Sequence, residues 1–95
     1  MPFPDRVRME RKNQALIAAY ARTLREKRKA ANLSQEELAF RTDLSMSYIS
    51  FLETCRRQPT LTVMDAICRE LGIPLAEFVS DVERAAVTHS AIKGA

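Results

Sequence analysis

Apolar positions recur along this chain three or four residues apart, and no stretch alternates with a period of two. Ile17, Tyr20, Leu24, Arg28 and Ala31 fall on one stripe and predict a first helix. Asp5 is placed to cap its start, its packed part is expected from about Asn13, and Asn32 ends it by tolerating the left-handed conformation. Ser34-Gln35-Glu36-Glu37 is a capping box for a second helix that ends near Arg41 or Thr42, with Leu33 and Leu38 spaced as a hydrophobic staple. Asp43 follows at a turn position that favours positive φ. Ser45 caps a third helix, and Leu44 with Ile49 repeats the staple spacing.

Pro59 prevents the third helix from continuing, and Thr62 with Asp65 reads as a variant capping box for a fourth. Its stripe is Met64, Ile67, Cys68 and Leu71, and Gly72 stops it. Pro74 suits the first turn of a fifth helix with the stripe Leu75, Phe78, Val79 and Val82. After Arg84 the residues become small and polar, which predicts a frayed tail. The expectation is an all-α domain over residues 13–84, preceded by a basic arm or extension of the first helix over 1–12 and followed by a tail over 85–95.

Composition changes this picture in two respects. At 95 residues there is room for one modest core and none for a second sensing or catalytic domain. The formal charge of +3 is unevenly spread, with nine Lys and Arg against three Asp and Glu in residues 1–33. Such an arm suits a polyanion or a solvated helix face, and charge alone favours the latter. No signal peptide or membrane span is visible, so a cytoplasmic location and no membrane contact are expected. Cys55 and Cys68 lack metal-ligand spacing, and His89 has no partner cluster. With no nucleophile–base pair, carboxylate dyad or phosphate loop, neither an enzyme nor a cofactor or metal is expected.

Two short capped helices joined by a tight turn form the unit that offers its second helix to the major groove of double-stranded DNA. In the third helix Ile49, Leu52 and Glu53 share an inner face with Ser45, while Ser47, Ser50, Phe51 and Thr54 share the other and Met46 and Tyr48 flank it. Gln35, Tyr48, Arg56 and Arg57 are placed to donate to phosphates around the rim. The outer face holds no Arg, Asn or Gln, so base readout would rest on serine hydroxyls and on Met46 and Phe51 against thymine methyls, with DNA shape contributing. Phe51 serves equally well as packing against a neighbouring side chain, and Phe40 has no assigned role.

Leu24-Arg25, Arg28, LSQEELA, YISFLE and Pro59 together resemble the phage-repressor and Cro-like (XRE-type) helix-turn-helix family over roughly residues 17–79. The resemblance implies a compact five-helix, lambda-repressor-like domain that binds operator DNA as a symmetric dimer, with Gln35 and the start of the third helix at the DNA. It also implies an ion pair between Arg28 and Glu53. Asp43 and Cys55 stand where the family usually has glycine, and Cys55 suggests a different exit from the third helix. The resulting expectation is a transcriptional repressor that binds an inverted repeat as a homodimer, paired through Leu75, Phe78, Val79 and Val82. The alternative is a module of the same fold that holds a protein partner on Met46 and Phe51.

Overall fold

The computed structural model describes the backbone of residues 13–94 and the side chains of residues 13–88. The basic arm, its Asp5 cap and the His89 side chain lie outside them. Among the described residues there are five α-helices and no strand: α1 (Gln14–Ala30), α2 (Gln35–Thr42), α3 (Met46–Glu53), α4 (Leu61–Leu71) and α5 (Leu75–Gly94). The architecture is the expected all-α one. No described helix is long and apolar enough to cross a membrane.

The helix starts are local hydrogen-bond decisions. Ser34 Oγ accepts the Glu37 N–H at 3.0 Å while Glu37 Oε1 accepts the Ser34 N–H at 2.9 Å, completing the capping box of α2. Ser45 Oγ accepts the Tyr48 N–H at 3.0 Å and opens α3. For α4 the cap is Thr60, whose hydroxyl accepts the Val63 N–H at 3.1 Å, and Thr62 lies inside the helix. Both threonines are competent caps, and the earlier one wins because it follows Pro59 directly in extended conformation and nothing from Leu61 onward breaks the helix. Pro74 sits just ahead of α5, one residue earlier than expected, with its carbonyl accepting the Phe78 N–H at 3.0 Å.

The first four helices share one exit. Asn32, Asp43, Cys55 and Gly72 are left-handed, with φ of 60°, 59°, 65° and 73°. The next residue then returns its N–H to a carbonyl five positions back: Leu33 to Arg28, Leu44 to Ala39, Arg56 to Phe51 and Ile73 to Cys68, at 2.8–3.1 Å. Cys55 therefore does what glycine would do there, and the different exit geometry expected of it does not occur. A side chain in this region costs about 1–2 kcal/mol. Cys55→Gly should accordingly raise the unfolding free energy by about 1 kcal/mol in urea titrations, and a loss of stability would contradict this account.

Two expectations change where helices end. Ala31 is exposed as the C-cap of α1 rather than packed on its stripe. Past Arg84 the backbone stays helical to Gly94, because no Gly or Pro intervenes, Ala is the best helix former, and Ala85 and Ala86 pack against the core.

Every helix contributes to one core. Leu24, Leu38, Ile49, Leu52, Ile67 and Phe78 are essentially inaccessible, and Tyr20 meets Phe78 edge to face at 5.5 Å. α1 lies along α5, where Lys27 pairs with Asp81 at 2.8 Å. The hydrogen bond to Asp81 raises the Lys27 pKa and lowers that of Asp81. This arrangement leaves α2 and α3 packed on each other, with the outer side of α3 facing away from the core.

Candidate nucleic-acid interface

α3 is held from beneath by apolar burial and by one ion pair. Ile49 and Leu52 are fully buried, and beside them Glu53 is only 3 % exposed. Arg28, itself 8 % exposed, meets the Glu53 carboxylate with two parallel bonds, Nε to Oε2 at 2.6 Å and Nη2 to Oε1 at 3.0 Å. Its remaining arm donates to the Leu33 carbonyl at 2.8 Å, so the guanidinium also fastens the link between α1 and α2. The hydrogen bond to Glu53 raises the Arg28 pKa against the opposing effect of burial. The pair that the resemblance implied is thus present, and it ties α1 to α3.

A further bond was not foreseen. Gln35, the first residue of α2, donates from Nε2 to Glu53 Oε1 at 3.0 Å. Its amide is therefore partly engaged inside the protein. Nothing in the spacing of the two residues, 18 positions apart, signals this contact.

Ser45, which spacing put with the inner face, is the exposed cap ahead of α3 and is not packed beneath it; on the outer side Met46 and Ser47 are exposed while Tyr48 and Ser50 are half-buried. Ser45 uses its oxygen as the cap but keeps its hydroxyl proton. The Thr54 hydroxyl instead donates to the Ser50 carbonyl at 2.8 Å, so it is no outward donor. Phe51 is half-buried, and the Arg56 guanidinium sits over its ring at 5.3 Å from the centroid. The other three exits place Leu33, Leu44 and Ile73 at the position Arg56 occupies, where an apolar contact with the departing helix is usual. Here a cation–π contact takes its place, and it gives the half-buried Phe51 ring a packing partner within the chain. Arg57 is exposed next to it, and Phe40 is 87 % exposed on α2.

The α5 stripe divides. Phe78 and Val82 are buried in the chain's own core, so little of either is left for a second copy, and Leu75 is half-buried against the same core. Val79 is exposed and borders a cavity of about 180 Å³ whose walls include Leu16, Ile17 and Met64. The helical stripe was legible, but the helix that covers it was not. Cys68 is buried, and burial pushes its thiol up to about 11, with Asp65 adding to the effect. Cys55 is exposed, and among the described residues no three His, Cys, Asp or Glu side chains gather as a metal site.

The family model described as Helix-turn-helix matches residues 24–78, from the middle of α1 to the start of α5. The chain belongs to the helix-turn-helix family. Among curated relatives, this helix-turn-helix protein is 36 % identical over 58 residues to control protein C.MunI of a Mycoplasma species, covering 61 % of this chain and 78 % of that one. Among solved structures it resembles the restriction-modification controller protein C.AhdI of Aeromonas hydrophila, with a TM-score of 0.63 at 34 % identity, covering 65 % of this chain and 94 % of the other. The clp gene regulator ClgR of Corynebacterium glutamicum shares the fold with a TM-score of 0.79 at 24 % identity, over 83 % of this chain and 84 % of the other.

Proposed function

We propose that this helix-turn-helix protein is a DNA-binding transcriptional regulator, acting as a repressor, that places α3 in the major groove of an inverted-repeat operator. The observation that carries the reading is the outer side of α3, exposed at Ser45, Met46 and Ser47 while its inner side is locked by Ile49, Leu52 and the Arg28–Glu53 pair. A helix held that rigidly from below can approach base edges without its own rearrangement.

In this reading Ser47 and Ser50 donate to base edges and Met46 meets a thymine methyl. Ser45, Gln35, Tyr48, Arg56 and Arg57 take phosphates on either side of the groove. Phe51 acts through Arg56, holding the guanidinium beside the exit of α3. Two copies pair through the exposed edge of α5 around Val79, with Leu75 at its margin, so that the two α3 helices lie about 34 Å apart, one turn of DNA. The reading assigns binding rather than catalysis, in the cytoplasm where the DNA is. Two relatives with controller names, control protein C.MunI and the restriction-modification controller protein C.AhdI, support a regulatory role.

The test is equilibrium binding of the purified protein to DNA duplex as salt is raised. With about six to ten phosphate contacts for a dimer, affinity falls by about 10³–10⁵ between 50 and 200 mM salt. Binding that ignores salt, or no binding to any duplex, contradicts the proposal.

A further inference from the structure

Gln35 and Glu53 stand 18 residues apart, on the two helices that make up the helix-turn-helix, and they share a hydrogen bond at 3.0 Å. The carboxylate accepts three hydrogen bonds: Oε1 takes Arg28 Nη2 and Gln35 Nε2, and Oε2 takes Arg28 Nε. Arg28 in turn is fixed by the Leu33 carbonyl, so the acceptor facing Gln35 cannot swing away. An amide nitrogen carries two N–H groups at a set angle, and anchoring one determines the direction of the other. Gln35 is half-buried at the first position of α2, just past the Ser34 cap, where helix N–H groups already favour an anion.

We propose that Glu53 is a positioning residue for DNA binding: clamped by Arg28, its carboxylate holds the Gln35 amide so that the second N–H is presented, already ordered, to a phosphate oxygen. The buried ion pair then does more than join α1 to α3. It sets the direction of a donor at the start of α2, so the scaffold of the unit and one of its phosphate contacts are the same network. The inference rests on the regulator reading above and adds to it a specific route from core to surface. An unanchored glutamine would have to lose its rotamer freedom on binding, which weakens a contact by about tenfold.

The experiment is a double-mutant cycle on the full chain, read by binding to the fluorescently labelled duplex upstream of the protein's own gene. Gln35→Ala is expected to weaken binding by about tenfold. In the paired variant Arg28→Met/Glu53→Met, which replaces the ion pair by apolar side chains of similar length, that loss has already occurred, and adding Gln35→Ala changes affinity by less than about twofold. Additive losses in the two backgrounds, or no effect of Gln35→Ala in the wild-type background, overturn the assignment while leaving the regulator reading standing. Failure of the wild-type protein to bind any duplex overturns both.

A second measurement does not depend on the paired variant folding. In the free wild-type protein, the Gln35 side-chain amide is expected to have an NMR order parameter near the rigid-backbone value of about 0.85, against less than about 0.6 for the exposed Gln58. Equal mobility of the two amides overturns the proposal.

Discussion

Glu53→Ala should lower the unfolding free energy by about 3–5 kcal/mol. Glu53 is 3 % exposed, and its removal strands the Arg28 guanidinium, 8 % exposed, with only the Leu33 carbonyl for a partner. The cost comes mostly from the uncompensated buried charge rather than from the attraction lost. Urea denaturation of the two proteins measures it directly, through a shift in midpoint at unchanged slope. A loss below about 1 kcal/mol would place the pair among solvated surface bridges and remove the reason for α3 being rigid.

Replacing both arginines at the exit of α3, Arg56→Ala with Arg57→Ala, should leave the fold intact and weaken duplex binding by at least about tenfold at moderate salt. The more telling readout is the salt dependence. Each phosphate contact removed lowers the slope of log affinity against log salt by about 0.9, so the pair should reduce it by about 2 per protomer. Arg56 has a further tie, since its guanidinium rests on Phe51 and its N–H returns to the Phe51 carbonyl at 2.8 Å. The backbone bond survives substitution, so stability should change by less than about 1 kcal/mol. An unchanged salt slope would show that these arginines are solvated and touch no phosphate.

What the sequence disclosed and what it withheld divide along the range of the interactions involved. The Ser34 box and the Ser45 cap bond partners three residues away, and the left-handed Asp43 and Gly72 exits likewise close within a few residues; such contacts leave a mark in residue order. Cys55 shows where local preference misleads. Cysteine has no liking for positive φ, yet the return bond from Arg56 to Phe51 and the need to bring α4 onto the core impose it. The α5 stripe was visible, but only packing against α1 and α4 reveals that Phe78 and Val82 are spent on the core while Val79 is not. The Arg28–Glu53 pair was available through resemblance alone. The Gln35–Glu53 bond depends on how two helices lie against each other, and no periodicity carries that information.

The same division applies to the candidate interface. Which helix faces outward followed from spacing, whereas the state of each donor did not. Thr54 spends its hydroxyl on the Ser50 carbonyl, and Phe51 supports Arg56 instead of lying free. In the proposed reading the base-reading face is Ser47, Ser50 and Met46, with Ser45 at its edge. A face so short of bidentate base readers puts weight on phosphate contacts and on the deformability of the site.

Entry of two α3 copies into successive major grooves of one operator can be read by footprinting the purified protein on the DNA upstream of its own gene. Two protected half-sites related as an inverted repeat are expected, with centres about 10 base pairs apart or a multiple of that. Protection of one isolated half-site at all protein concentrations, or uniform protection without sequence preference, would contradict it.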